Sequence, residues 1–155
     1  MSSQPANSVL VSIDDAFASA VDAAWLEGIA LRVLAAEGAA GVELGVVVTD
    51  DDTVRELNRQ YAGEDVATDV LSFSLREGEE FVTAEEAGEA LGEVVISYPT
   101  VLRQAREAGR AVDDEVAHLL VHGILHLLGY DHAEPEEERR MRSREEELLG
   151  AVGHG

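Results

Sequence analysis

The feature that most constrains the fold is an uncharged stretch in the last third of the chain. Residues 116–130 contain no Asp, Glu, Lys or Arg, but they include three histidines. A membrane-spanning helix needs ~18–20 consecutive apolar residues, and this stretch is too short and too polar for one. We therefore interpret it as a buried helix, around which the rest of the chain packs, and we expect no contact with a membrane.

Length and residue usage predict one globular domain. The chain has 155 residues and no cysteine, and residues 1–8 do not have the pattern of a signal peptide. We expect a single domain over 1–155 in the cytoplasm. The lack of cysteine excludes disulfide scaffolds, thiolate zinc fingers and iron–sulfur clusters, so a transition-metal site would need His, Asp or Glu ligands.

Hydrophobic periodicity predicts an α+β fold with the element order βαβαββααα. We expect a mixed sheet of about four strands covered by helices. Residues 76–90 are rich in glutamate and predict a solvated, mobile loop, while residues 149–155 are expected to fray. The predicted strands are 9–13, 42–49, 70–74 and 93–97, and the predicted helices are 17–37, 50–61, 98–109, 113–128 and 136–149.

Three histidines near the end of the uncharged stretch have the spacing of metal ligands. His122 and His126 are four residues apart, so they leave one face of a helix one turn apart. Gly129 permits a left-handed turn that brings His132 back toward that face. Three imidazoles with an open fourth position are typical of a catalytic zinc site, which predicts a zincin-like centre with one Zn²⁺ per chain.

The spacing alone also matches the HExxHxxGxxH pattern of metzincin peptidases. Gly123, however, stands where those enzymes have their catalytic glutamate. Without that carboxylate the helix has no base for peptide hydrolysis, which disfavours a zinc peptidase. For His118, one turn earlier, we favour a hydrogen-bonded core position over an outer-shell role at the metal.

The segment HGILHLLGYDH, residues 122–132, resembles the signature of the YbeY family. Residues 57–73 and 91–97 resemble two further blocks of that family. The resemblance implies a zinc-dependent, single-strand-specific endoribonuclease that acts in 16S rRNA 3′ end processing and in ribosome maturation and quality control. It also implies ribosomal RNA and the small ribosomal subunit as partners, with ribosomal proteins or an assembly GTPase as further candidates.

The chain departs from the family pattern at one position that bears on activity. Ala62 stands where many members have an arginine implicated in activity. Arg59, on the preceding turn, is the remaining candidate for a catalytic arginine that contacts phosphate. This departure keeps a second alternative open, which is a non-catalytic ribosome assembly factor that uses the metal for stability.

The charge balance is strongly acidic. Eleven basic residues, all arginine, against 32 acidic residues give a net charge of −21, which is simplest to read as an adaptation for solubility or salt. RNA binding would then need a locally basic surface. Arg103, Arg106 and Arg110 form such a stripe and are our RNA-binding candidates, although intramolecular pairing with the acidic loop explains them equally well.

Overall fold

A four-stranded mixed sheet forms the base of the computed structural model, which describes residues 6–62, 70–74, 89–129 and 134–151. The strands are β1 (Ser8–Ile13), β2 (Val42–Thr49), β3 (Val70–Ser74) and β4 (Glu89–Ser97). They lie in the order β1-β2-β4-β3. β1 and β4 both run parallel to β2, whereas β3 is antiparallel to β4. The predicted α+β class with a mixed sheet is confirmed.

Within the part of the chain that the structure describes, five α-helices accompany the sheet in the predicted order. A short 3-10 turn, Asp15–Phe17, follows β1, and the last three helices follow β4 without an intervening strand. The helices are α1 (Ala23–Ala36), α2 (Asp51–Ala62), α3 (Tyr98–Ala108), α4 (Val112–Leu127) and α5 (Pro135–Ala151).

Three predicted boundaries differ from the structure by two residues or more. The first helix begins at Ala23 rather than residue 17, because the Asp22 carboxylate caps it by accepting the Ala24 N–H at 3.0 Å. β4 begins at Glu89, inside the predicted loop, because it pairs with β2 along its whole length. α5 continues to Ala151 instead of fraying at residue 149, since Leu148 is buried in the core. Two predicted segments lie outside the described residues. They are residues 76–88 of the predicted acidic loop and residues 152–155 of the predicted frayed end.

The core lies between the sheet and the predicted buried helix, α4. In β2 the alternating residues Val42, Leu44, Val46 and Val48 are buried, as the sequence pattern predicted. Most side chains of α4 are likewise buried. Within the described ranges, no helix is both long and apolar enough to cross a membrane.

Gly123 sits where α4 comes closest to β4. A Cβ atom built at this glycine would lie 2.8 Å from Cγ1 of Val94, closer than real side chains approach. The helix therefore packs on the sheet through a position that has room for hydrogen only. This contact fixes the distance of α4 from the sheet and, with it, the place of the histidines that the helix carries.

Asp51 joins the N-terminal ends of α2 and α3. Its Oδ1 accepts hydrogen bonds from the hydroxyls of Ser97 and Thr100, the latter at 2.7 Å, and its Oδ2 accepts one from Arg103 at 3.3 Å. Burial raises the pKa of Asp51, but these hydrogen bonds and the Arg103 charge outweigh burial and hold the pKa below its usual value. The carboxylate is thus ionised and acts as an acceptor for three groups.

Replacing Asp51 with alanine is expected to lower the free energy of unfolding at neutral pH by about 1–3 kcal/mol, because the buried Ser97 hydroxyl loses its acceptor. Because the folded-state pKa of Asp51 is lowered, this stabilisation is fully present above the unfolded-state pKa. It is lost as the pH falls through the folded-state pKa. Denaturant unfolding at neutral pH and near pH 3 should therefore show a smaller difference at the lower pH. Asp52→Ala, in the same helical turn but exposed, is the control. A difference that does not change with pH would contradict this account.

Candidate active site

A cleft of about 590 Å³ opens between α4 and α5. His118 and His122 of α4 form one wall of the cleft, and α5 forms the other. Histidine, carboxylate and guanidinium groups all line this cleft. Its lining residues are Arg110, His118, His122, Glu138, Met141, Arg142, Glu145, Glu146 and Leu149.

Glu145 connects the two histidines across the cleft. Its Oε2 lies 2.6 Å from Nδ1 of His122, and its Oε1 lies 3.1 Å from Nε2 of His118. The carboxylate is only 8% exposed, so it has exchanged water for these two rings. Both oxygens of one buried carboxylate are therefore used to hold two imidazoles.

The ionisation of this group follows from its partners. Burial pushes the pKa of Glu145 up, but the hydrogen bonds from His118 and His122 outweigh burial and lower it to about 2. The same hydrogen bond raises the pKa of His118, although desolvation of that ring acts in the opposite direction. Glu145 is thus an ionised carboxylate, which can only accept hydrogen bonds.

The structure places the predicted ligands as follows. His122 lines the cleft with 31% of its side chain exposed. His126 lies one turn later on α4 and is exposed, and Gly129 has the predicted left-handed conformation with φ of 108°. His132 falls outside the described residues, and within those residues no group of three or more His, Asp or Glu side chains is arranged to hold a metal. His118 is hydrogen-bonded, as we favoured, but it lies in the wall of the cleft with 32% of its side chain exposed and not in the core, and its partner is the carboxylate that also holds His122.

The predicted RNA-binding stripe divides into separate roles. Arg110 lines the cleft and pairs with Glu115 at 3.2 Å. Arg103 instead pairs with Asp51, which is not in the acidic loop of the alternative interpretation. Arg106 is exposed. Arg59, the candidate catalytic residue, is exposed on α2, pairs with Glu56 and does not line the cleft.

Sequence reasoning missed the contribution of α5. Arg142 and Glu145 reach the cleft from this helix, where Arg142 pairs with Glu138 at 3.2 Å. A signal was present, because Glu145 occupies a position in line with Met141 and Leu148, the buried apolar residues of α5. A charged residue on the apolar face of an amphipathic helix indicates a buried partner.

The arrangement also limits the chemistry that the helix itself can perform. At position 123 a side chain would run into Val94, so a glutamate base of the peptidase type cannot stand there without moving the sheet. The cleft offers two imidazoles held by one carboxylate, together with two arginines. Such groups typically bind a metal ion or a phosphate, and they do not form the kind of site that is built around a covalent nucleophile.

Comparison with known proteins identifies one family of similar sequences. A sequence model described as "Endoribonuclease YbeY" matches residues 12–153. Proteins named Endoribonuclease YbeY include one from Roseiflexus castenholzii, 43% identical over 92% of this chain and 91% of its own length, and one from Chloroflexus aggregans, 47% identical over 94% and 95%. A Desulforamulus reducens protein of that name is 52% identical over 72% of each chain.

The fold has a counterpart among solved structures as well. A solution structure of a protein from Thermotoga maritima superimposes with a TM-score of 0.61 and 25% sequence identity, covering 93% of this chain and 88% of that one. The match of the family model, the identities over nearly the whole length and the shared fold lead to one conclusion. The chain belongs to the YbeY family.

Proposed function

We propose that this protein is a zinc-dependent endoribonuclease that cuts single-stranded RNA. The observation that carries the proposal is the hydrogen bond between the buried Glu145 carboxylate and Nδ1 of His122. Metal-bound histidines almost always give their second ring N–H to a carboxylate, a carbonyl or water. Membership of a family whose relatives are named endoribonucleases supports the choice of RNA as the substrate.

The residues fit a divalent metal with nitrogen ligands. An ionised Glu145 makes Nδ1 of His122 the protonated nitrogen, which leaves Nε2 as the nitrogen with a lone pair. We propose His122, His126 and His132 as the ligands of one Zn²⁺ per chain. When bound, zinc at such a site polarises a phosphoryl oxygen and lowers the pKa of a coordinated water to about 7.

The chain's own groups would hold the substrate. Arg110 and Arg142 lie on opposite walls of the cleft, where they could each contact a phosphate. Each already pairs with a glutamate, Glu115 or Glu138, so RNA must compete with these carboxylates for the two arginines. Binding should weaken as the salt concentration rises. Arg103 and Arg106 would extend the contact along α3, and Arg59 remains a candidate only if RNA reaches α2.

The biological role is proposed from the family resemblance. We propose that the chain acts in the cytoplasm on ribosomal RNA, in 16S rRNA 3′ end processing and in the maturation and quality control of the small subunit. Ribosomal proteins or an assembly GTPase would be its protein partners. The peptidase alternative is weakened by the contact at Gly123, because the base it needs has no space.

The test is a cleavage assay with three substrates. Purified protein loaded with zinc is expected to cut a single-stranded RNA oligonucleotide, to cut the same sequence poorly in a duplex, and to leave unstructured casein intact. A chelator should stop RNA cleavage, and added zinc should restore it. Casein cleavage with intact RNA would favour the peptidase. Zinc binding without cleavage of any substrate would favour the assembly factor.

Removing the two cleft arginines is expected to weaken RNA binding more than removing two others. Arg110→Gln with Arg142→Gln should lower affinity and reduce the salt dependence of binding, because each phosphate contact releases about one counterion. The matched control is Arg139→Gln with Arg140→Gln, which changes the net charge equally at exposed positions of α5 outside the cleft lining. Filter binding of a single-stranded RNA over a range of salt measures both. Equal losses from the two pairs would contradict a localised RNA site.

A further inference from the structure

The helix that carries Glu145 is held firmly against the metal-site helix. Met141, one turn before Glu145, and Leu148, one turn after it, are each only 2% exposed and belong to the core. Arg144 bonds to the Glu37 carboxylate and to the carbonyl of Ala36, which fastens α5 to the end of α1. The Glu145 carboxylate therefore approaches α4 from a fixed direction.

The two oxygens of Glu145 impose a proton arrangement on both rings. Because the carboxylate oxygens of Glu145 lie at hydrogen-bond distance from these ring nitrogens and act as acceptors, His122 donates from Nδ1 and His118 donates from Nε2. Nδ1 of His118 is buried, and among the described residues it has no hydrogen-bond partner. The two histidines thus turn different ring nitrogens toward the same carboxylate, His122 its Nδ1 and His118 its Nε2.

We propose that Glu145 is a positioning residue, which fixes the ring orientation and the Nδ1–H tautomer of His122 so that Nε2 is the metal-binding atom, and that His118 supports Glu145 without being a ligand. This inference rests on the proposed function, since it assigns a task at the same metal site. It also explains why the chain keeps a carboxylate on the apolar face of α5. A wrong tautomer would present an N–H group to the metal.

The first test is made on metal-free protein and does not depend on activity. Long-range ¹H–¹⁵N correlation spectra of ¹⁵N-labelled protein at alkaline pH report which nitrogen of each neutral histidine is protonated. We expect His122 to be the Nδ1–H tautomer in the unaltered chain and to shift toward the Nε2–H form in Glu145→Ala. A His122 that is already Nε2–H in the unaltered chain would overturn the proposal.

The second test measures zinc affinity by competition with a chromogenic chelator. Glu145→Ala is expected to bind zinc about 10–100-fold more weakly, with Glu145→Gln in between because its amide keeps one acceptor oxygen. Glu146→Gln, next along the helix and on the edge of the cleft, is the control and should bind as the unaltered chain does. His118→Gln should still bind about one zinc per chain, as expected for a residue outside the ligand set.

The variants also separate positioning from folding. Val46→Ala leaves a cavity in the core at a position of β2 that does not line the cleft, so it should lower the melting temperature and leave the zinc affinity of the folded protein close to that of the unaltered chain. Unchanged zinc affinity in both Glu145 variants, or loss of stoichiometric zinc in His118→Gln, would overturn this inference alone. An unaltered chain that binds no zinc would overturn the proposed function together with it.

Discussion

Replacing Gly123 with glutamate is expected to prevent folding rather than to create a zinc peptidase. The glutamate would restore the HExxH pattern, but position 123 is buried and its Cβ would lie 2.8 Å from Cγ1 of Val94. A buried carboxylate without partners costs several kcal/mol, which is comparable to the whole stability of a small domain. Circular dichroism and size-exclusion chromatography should show an unfolded or aggregated protein.

The milder change at this position gives a measurable effect. Gly123→Ala should lower the free energy of unfolding by about 1–3 kcal/mol, because the methyl group forces α4 away from β4. Adding Val94→Ala makes room for it, so the double variant should be more stable than the sum of the single changes predicts. Gly28→Ala is the matched control in α1. Among the described residues, no atom outside this helix lies within 4 Å of a Cβ built at Gly28, and we expect the substitution to stabilise the protein by about 0.5–1 kcal/mol. Equal effects at both glycines would contradict the close approach.

Replacing His126 with alanine is expected to abolish stoichiometric zinc binding and to slow RNA cleavage by more than about 100-fold. His126 is exposed, so its removal should leave the core and the melting temperature of the metal-free protein nearly unchanged. Elemental analysis of purified protein, together with single-turnover cleavage, measures the two effects. His154→Ala, a histidine outside the proposed ligand set, is the control. Full zinc content in His126→Ala would place the metal elsewhere.

Local patterns predicted most of the fold, because the elements depend on short-range periodicity. The alternation in β2 predicted its bounds and its buried face, and the uncharged stretch predicted α4 as the core helix. The start of α1 was predicted too early because apolar spacing begins before Asp22, whose cap sets the actual start. The early start of β4 depends on pairing with β2, and the local sequence of β4 alone does not reveal that pairing.

The candidate site was only partly predictable from sequence for a related reason. The spacing of His122 and His126 follows from one helix, so the sequence predicts that they share a face. The partner of His122 lies on another helix, and only the packing of α5 against α4 brings Glu145 to it. Arg103 shows the same limit, since only the fold brings it to Asp51, far away in sequence. Its RNA contact stays a prediction.

The most direct measurement of the central claim uses a covalently closed circle of single-stranded RNA, which has no end for an exonuclease to attack. The zinc-loaded protein is expected to convert the circle to linear RNA, the chelated protein to leave it closed, and the folded His126→Ala variant to open it more than about 100-fold more slowly. The claim would be contradicted if the circle stayed closed while linear RNA was shortened from its ends. It would also be contradicted if His126→Ala opened the circle as fast as the unaltered chain.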